Sequence, residues 1–341
     1  MNPEIHTQII TLFITAVSAF ILALLSGMWI LPELKKLKLG QEVRDDGPES
    51  HLKKQGTPTM GGIMILLSMT AAVIIGFVRT KTIPVAALQI MMLTLGFGLI
   101  GFIDDFTKIK KHNSKGLSPK QKLAFQLLLS AVFSVWVYFM PAEGVEPGKV
   151  ILPFTGLGAE ASGFRLPVWL YVPFSVFVIL GTDNGVNFTD GLDGLCSSVS
   201  APVTAFFMAV GMTISGLFGV SVTSAALCGA LLGFLFFNAY PAKVFMGDTG
   251  ALAIGGFVAA AGVVSGCELY IVIVGLIYLA EVLSVILQVS YFKATHGKRL
   301  FKMAPIHHHF ELCGNSETRI VAAFTIITIF LCALGIIGIW A

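Results

Sequence analysis

Long apolar segments separated by short polar loops are the feature that most constrains the fold of this chain. A hydrocarbon core about 30 Å thick is crossed by roughly 20 residues of α-helix. Ten segments meet that length, and they are residues 9–31, 60–78, 83–103, 123–140, 167–182, 195–218, 222–239, 249–266, 269–292 and 320–340. The pattern predicts an all-α integral membrane protein with about ten transmembrane helices, forming a single polytopic domain over residues 1–341.

The scarcity of charge supports this fold class. Only 12% of the 341 residues are charged, whereas a soluble domain has about 25%. The net charge of +3 is too small to indicate a nucleic-acid partner. The first apolar segment, 9–31, is too long for a signal-peptide core and has no basic residues before it, so it is predicted to be a retained span.

The distribution of Lys and Arg predicts the orientation. All but four of the 22 Lys and Arg residues fall in loops on one side of the membrane, which are residues 32–59, 104–122, 183–194, 240–248 and 293–319. Because basic loops stay in the cytoplasm, these loops are predicted to be cytoplasmic and both termini external. The Gly- and Pro-containing segment 141–166 is then external and resembles a hairpin.

Two acidic pairs stand out among the predicted cytoplasmic residues. Asp104 and Asp105 end the third apolar segment, where the helix dipole disfavours negative charge, so capping explains them poorly. They either form plain salt bridges with Lys108 and its neighbours or belong to a cation or active site. Asp190 and Asp193 are three residues apart, so a helical turn would place both carboxylates on one face. The alternative is a simple turn rich in Asn, Asp and Gly.

Three further polar clusters lie on the same predicted face. Asp248 opens the eighth apolar segment, where free N–H groups attract phosphate and its carboxylate could hold Mg²⁺ or merely cap the helix. His307, His308 and His309 lack metal-ligand spacing, so they suit a phosphate group or form a surface run without a role. Lys54 precedes a Gly-Thr-Pro-Thr turn that is either anion-binding or a basic membrane border.

Glu281 lies inside the ninth segment and stays outside the predicted site, although an acid within the membrane indicates a function.

Taken together, the clusters favour phosphoryl transfer. That chemistry needs charge neutralisation and alignment by Mg²⁺ and basic side chains, and Mg²⁺ prefers one or two carboxylates with phosphates and water. A site at the membrane border indicates one water-soluble and one lipid substrate.

Five motifs, in order, resemble the signature of the phospho-N-acetylmuramoyl-pentapeptide transferase family, within the polyprenyl-phosphate hexosamine-1-phosphate transferase superfamily. They are "GTPTMGG", "FIDDFTK", "NFTDGLDGL", "FMGDTG" and "PIHHHFE". The resemblance implies a Mg²⁺-dependent enzyme of the bacterial inner membrane, active on its cytoplasmic face and homodimeric. Its substrates would be UDP-MurNAc-pentapeptide and undecaprenyl phosphate, and its products lipid I and UMP.

The same resemblance implies roles for individual residues. Asp104, Asp105 and Asp248 match catalytic positions, with Asp248 as the Mg²⁺ ligand. Substrate-binding positions are matched by Lys54, Thr57, Thr59, Lys108, Asn187, Asp190, Asp193, Asn238, Phe245, His307, His308 and His309.

Alternatives remain open for both mechanism and function. The lipid phosphate could attack the donor directly, or an aspartate could form a phospho-enzyme intermediate; direct attack is favoured because the lipid phosphate is already a nucleophile. A sister enzyme would transfer GlcNAc-1-phosphate from UDP-GlcNAc to the same lipid. A transporter is disfavoured because the ionisable groups are confined to one face, with Glu281 the main exception.

Overall fold

The computed structural model describes residues 3–36, 54, 56–111, 116–157 and 161–340, in which α-helices account for nearly all regular structure. The helices are α1 (Pro3–Lys36), α2 (Gly62–Thr80), α3 (Val85–Lys110), α4 (Pro119–Phe139), α5 (Val168–Thr189), α6 (Leu195–Thr213), α7 (Phe218–Asn238), α8 (Gly247–Ser265), α9 (Glu268–Val274), α10 (Leu276–Ala294), α11 (Ile306–Leu312) and α12 (Glu317–Trp340). Two short strands are β1 (Lys149–Ile151) and β2 (Gly163–Arg165). Most of the predicted loop 32–59 and part of the loop 104–122 lie outside the described residues.

The helices have the length and apolar character of membrane spans. Within the described residues, eight helices are long and apolar enough to cross a membrane: α1, α3, α4, α6, α7, α8, α10 and α12. A shorter apolar helix covers Gly62–Val78, and α5 ends in the polar stretch 183–189. The predicted class, an all-α protein that crosses the membrane several times, is confirmed at this level.

Helix α8 forms the centre of the bundle. In the most apolar 18-residue stretch of α8, 89% of the residues are buried inside the protein, against 28% in that of α1. Its small residues allow neighbouring helices to approach closely, as is usual where helices pack in lipid. A Cβ on Gly256 would lie 2.9 Å from the Phe97 ring of α3, and one on Gly255 would lie 2.6 Å from Asp183 of α5.

Helices α3 and α5 extend well into predicted loops. Helix α3 continues to Lys110, so Asp104 and Asp105 lie within a helix rather than in a loop that follows it. Helix α5 continues to Thr189, which corrects the predicted loop 183–194. The physical reason is burial: Asp183 is fully buried and accepts a hydrogen bond from Gln126 Nε2 at 2.5 Å, so this polar stretch packs inside the protein and keeps its helical hydrogen bonds.

The predicted ninth span, 269–292, is not one helix. It is divided at Gly275, which separates the seven-residue α9 from α10. Gly275 donates its N–H to the Ile271 carbonyl at 2.8 Å, and a Cβ at this position would lie 2.6 Å from the same oxygen. Glycine therefore permits the break that the apolar pattern alone did not reveal.

The segment 141–166 contains the small sheet. Strands β1 and β2 pair antiparallel with Val150 opposite Phe164, and Ile151 donates its N–H to the carbonyl of Gly266 at 2.8 Å. Gly266 follows the C-terminus of α8. The sheet therefore lies at the end of α8 opposite to Asp248.

Candidate active site

Three carboxylates from two helices converge at one end of the bundle. Asp104 and Asp105 on α3 and Asp248 on α8 each offer an oxygen, and these oxygens lie within 4.8 Å of one another. We call these residues the acidic cluster. Gly101, one turn before Asp104, makes the approach possible, because a Cβ there would collide with the backbone carbonyl of Asp248.

Asp105 holds the N-terminus of α8. Its carboxylate accepts hydrogen bonds from the backbone N–H of Asp248 at 3.2 Å and of Thr249 at 2.9 Å, and from the Thr249 hydroxyl at 2.7 Å. An anion is favoured there because the first N–H groups of a helix have no partner within the helix. The reading of Asp248 as a side-chain N-cap is wrong, because the N-cap residue is Met246 and no side chain caps from that position.

Two lysines neutralise part of the acidic cluster. The Nζ atom of Lys108 lies 2.6 Å from Asp104, 3.5 Å from Asp105 and 2.9 Å from Asp248. Lys122 on α4 contacts Asp248 at 3.1 Å. The sequence identified Lys108 but missed Lys122, which is in the first turn of a helix that begins at the Ser118 capping box. The plain salt bridges considered from the sequence are therefore present, yet three carboxylates share two ammonium groups.

Asp190 adds a fourth acid beside this region. It follows the last residue of α5, and its carboxyl group accepts a hydrogen bond from the backbone N–H of Gly247. Desolvation, followed by the nearby charges of Asp248 and Asp105, raises the pKa of Asp190 well above its ordinary value. A cation bound in this region would relieve that repulsion.

Lys54, Asp193 and Glu317 form a second group, which we call the Lys54 cluster. The Lys54 Nζ atom lies 2.7 Å from Asp193 Oδ1 and 2.6 Å from Glu317 Oε1. Glu317 also accepts the backbone N–H of Asp193 at 2.5 Å, and Asp193 Oδ2 accepts the N–H of Ala242 at 2.9 Å. Asp193 therefore faces Lys54 and Ala242, whereas Asp190 contacts the start of α8, so the turn does not aim both acids at one partner.

The motif 56–62 packs against the segment that precedes α8. Phe245 donates its N–H to the Pro58 carbonyl at 2.8 Å, and Gly61 donates to the Phe245 carbonyl at 2.9 Å. A Cβ on Gly247 would lie 2.8 Å from the Thr59 hydroxyl and 2.6 Å from Asp105, and its positive φ of 72° also favours glycine. Thr59 is thereby placed beside the acidic cluster.

Other predicted substrate-binding residues border these groups. Thr57 donates its N–H to the Lys54 carbonyl at 3.1 Å and forms the turn after it. Asn238 donates from Nδ2 to the Val244 carbonyl at 3.0 Å, while its buried Oδ1 has no hydrogen-bond partner within the described part of the chain. Asn187, on the last turn of α5, and Phe245 are half-buried. An unsatisfied buried acceptor such as Asn238 Oδ1 suits a ligand donor.

The three histidines diverge along α11. His307 is buried 3.1 Å from Glu281, and it also packs so closely on Gly191 that a Cβ there would collide with its ring. His308 pairs with Glu311 at 2.7 Å. His309 Nδ1 accepts the N–H of Lys302 at 3.2 Å. Of these contacts, the one that His307 makes with Gly191 reaches the turn that contains Asp190 and Asp193. The approach of His307 to Glu281 is not a hydrogen bond, because neither side chain has a hydrogen-bond partner among the described residues.

The acidic cluster suits a divalent cation on the chemistry of its donors. Mg²⁺ prefers carboxylate oxygens in small number, with phosphate and water completing its shell. Asp248 and Asp104 offer such oxygens in the acidic cluster, whose oxygens lie within 4.8 Å of one another. Both oxygens of Asp105 already accept hydrogen bonds from the start of α8. Lys108 and Lys122 stand beside them as cations for phosphate oxygens.

Two family profiles match the chain. One, described as glycosyl transferase family 4, covers residues 87–266. The other, described as phospho-N-acetylmuramoyl-pentapeptide-transferase signature 1, covers residues 54–66. Together the matches include the acidic cluster, Lys54 and Asp193.

Curated relatives match nearly the whole chain. A protein of Clostridioides difficile (strain 630) is 47% identical over 326 residues, which is 96% of this chain and 97% of the relative. One from Acetivibrio thermocellus is 47% identical over 93% of this chain and 92% of the relative, and one from Bacillus mycoides is 44% identical over 96% and 98%. All three are named phospho-N-acetylmuramoyl-pentapeptide-transferase.

Proposed function

The chain belongs to the phospho-N-acetylmuramoyl-pentapeptide-transferase family, and from this premise we infer that it catalyses the family's reaction. It transfers phospho-MurNAc-pentapeptide from UDP-MurNAc-pentapeptide to undecaprenyl phosphate, and the products are lipid I and UMP. The GlcNAc-1-phosphate alternative is not favoured, because the relatives with 43–47% identity are named for the muramoyl reaction. The protein is thus a membrane-embedded transferase of peptidoglycan precursor synthesis.

The convergence of Asp104, Asp105 and Asp248 is the observation that carries the proposed mechanism. We propose that Asp248 is the Mg²⁺ ligand. When bound, the ion neutralises negative charge on the donor diphosphate. Lys108 and Lys122 both contact Asp248 and are proposed to bind phosphate oxygens as these enter.

Asp104 is proposed as the base that takes the proton from the lipid phosphate. The two oxygens of Asp105 accept three hydrogen bonds from the start of α8, so this carboxylate is committed to holding the helix. Asp104 accepts one backbone N–H, from Leu117 at 2.6 Å, and its other neighbours include Lys108 and Asp248. A lysine can turn to a phosphate oxygen and leave Asp104 free for the proton.

The proposed reaction is a direct displacement. An oxygen of undecaprenyl phosphate bonds to the β-phosphorus of the donor, the bond from that phosphorus to the bridging oxygen breaks, and UMP leaves with the electron pair. Asp190, Asp193, Asn187, Asn238 and Phe245 are proposed to line the nucleotide pocket. The support for this pocket is that the turn 190–194 and the segment 238–246 meet through the hydrogen bond from Ala242 to Asp193.

We further propose that the site faces the cytoplasm from the bacterial inner membrane. The loop charges support this side, since UDP-linked donors and basic loops are cytoplasmic, and Lys108 and Lys122 of one basic loop contact the acidic cluster. The external face would then bear β1 and β2. Homodimer formation is proposed from the family resemblance alone.

A donor comparison tests the function. Purified protein, undecaprenyl phosphate and Mg²⁺ are mixed with radiolabelled UDP-MurNAc-pentapeptide or radiolabelled UDP-GlcNAc, and label in the lipid fraction is counted. Label is expected from the muramoyl donor and should vanish with EDTA. Equal transfer from UDP-GlcNAc would contradict the proposed donor. A phosphorylated aspartate trapped with donor in the absence of lipid would contradict direct displacement.

A further inference from the structure

Glu317 joins two predicted site residues although it belongs to none of the motifs. It is the first residue of α12, and its Oε1 atom lies 2.6 Å from Lys54 Nζ while accepting the backbone N–H of Asp193 at 2.5 Å. Its side chain is only 10% exposed. One carboxylate oxygen thus fixes both the ammonium group of Lys54 and the backbone of the turn 190–194.

The contacts of the Lys54 cluster leave its members few other orientations. Lys54 is held between two carboxylates, and Asp193 is held by Lys54 on one oxygen and by the N–H of Ala242 on the other. Burial alone lowers the pKa of Lys54, but hydrogen bonds and charge from Asp193 and Glu317 outweigh it and raise that pKa. The ammonium group therefore stays charged and in place.

We propose that Glu317 is a positioning residue for donor binding: it holds Lys54 and Asp193 in the orientation that binds the uridine nucleotide portion of the donor. This inference rests on the proposed function for the identity of the donor. Glu317 contacts no member of the acidic cluster among its hydrogen bonds and ion pairs, so its effect should fall on donor affinity rather than on the chemical step. An alternative role is purely structural, because an acid in the first turn of α12 also stabilises that helix through its dipole.

The first test replaces Glu317 by glutamine. Glu317→Gln keeps the shape and an acceptor oxygen but removes the charge that holds Lys54. The KM for UDP-MurNAc-pentapeptide and the Kd for UMP, measured by calorimetry, are expected to rise about 10-fold, the size of one lost charge-assisted hydrogen bond. The kcat and the KM for undecaprenyl phosphate should stay within about 3-fold of wild type.

A matched control and a second variant complete the design. Glu33→Gln removes an exposed ion pair with Lys36 at 2.6 Å on α1 and should leave every constant unchanged. The double variant Lys54→Met/Glu317→Gln should bind UMP no more weakly than Lys54→Met alone, because glutamine can still accept the Asp193 N–H and its lost charge acts on Lys54, and the effects of coupled residues do not add. If Glu317→Gln does not fold, Glu317→Asp serves the same test, since the shorter side chain keeps the charge but moves the carboxylate oxygen away from Lys54 Nζ.

The outcomes separate this inference from the proposed function. Unchanged UMP affinity and donor KM in a folded Glu317 variant, or a loss confined to kcat or to thermal stability, would overturn the positioning role. Additive losses in the double variant would also overturn it. If wild type made no lipid product from UDP-MurNAc-pentapeptide while Glu317→Gln still weakened UMP binding, the proposed function would fail and the positioning of a nucleotide site would stand.

Discussion

The acidic cluster and the Lys54 cluster both combine carboxylates with lysine, but they distribute their contacts differently. In the acidic cluster, three carboxylates face one another within 4.8 Å, and the single ammonium group of Lys108 reaches all of them. In the Lys54 cluster, Asp193 is held by Lys54 and by the backbone N–H of Ala242. Glu317 is held by Lys54 and by the backbone N–H of Asp193. Each cluster has one more carboxylate than lysine, so the difference lies in geometry. The contacts of the Lys54 cluster fix the orientation of a turn, whereas the three carboxylates that converge in the acidic cluster favour a bound cation.

The largest effect is expected from Asp248→Asn. This change removes the proposed Mg²⁺ ligand, and we expect transfer to fall by about 10³-fold or more, as when a central electrostatic group is removed from an active site. The fold should persist because the N–H groups at the start of α8 bond to Asp105 rather than to the Asp248 side chain. Radiolabelled lipid formation measures the loss, with Glu146→Gln in the segment 141–166 as a control. Retained activity with normal Mg²⁺ dependence would refute the assignment.

Lys108→Met should have the next largest effect. It leaves three carboxylates without their shared cation, so we expect kcat to fall about 10²-fold. Without Mg²⁺ the melting temperature should drop, and Mg²⁺ should raise it by more than in wild type because lysine no longer competes for the carboxylates. Lys110→Met, an exposed position on the same helix, is the control. An unchanged Mg²⁺-induced shift would mean that Lys108 and the cation do not share a site.

A smaller effect is expected from Gly62→Ala. Its Cβ would collide with the backbone of Gly250, which separates the motif 56–62 from the start of α8 and costs about 1–3 kcal/mol of stability. Transfer should fall about 10-fold because Thr59 moves away from the acidic cluster. Gly181→Ala is the matched control: a Cβ there meets nothing within 4 Å, so stability should stay equal or rise by about 0.5–1 kcal/mol. Equal behaviour of the two variants would show that the close approach at Gly62 is not needed.

The sequence predicted those features that leave a local pattern. Apolar segments gave the all-α membrane class, and motif residues such as Asp104, Asp248 and Lys54 proved to lie in groups with one another or with neighbouring motifs. The catalytic and binding roles of these residues remain predictions. The family prediction is confirmed by relatives that cover nearly the whole chain.

The features that the sequence missed depend on tertiary contacts. Glu317 follows a loop without any motif, and only the packing of α12 brings it to Lys54. Lys122 looked like one more cytoplasmic charge until α4 placed it beside Asp248. The break at Gly275 interrupts an apolar run, and the hydropathy of that run does not distinguish one helix from two. The helical end of α5 is stabilised by burial of Asp183 against Gln126. This is a tertiary contact, which local helix propensity does not predict.

Binding of Mn²⁺ tests the central claim most directly, because this ion shares the oxygen preference of Mg²⁺ and is detected by electron paramagnetic resonance. Wild type, Asp248→Asn and Glu317→Gln are titrated with Mn²⁺ in the presence of UDP-MurNAc-pentapeptide and without lipid, so that no turnover occurs. We predict one tightly bound Mn²⁺ in wild type, the same site in Glu317→Gln once the donor is saturating, and its loss in Asp248→Asn. Equal Mn²⁺ affinity and stoichiometry in wild type and Asp248→Asn would contradict the assignment of the acidic cluster as the cation site.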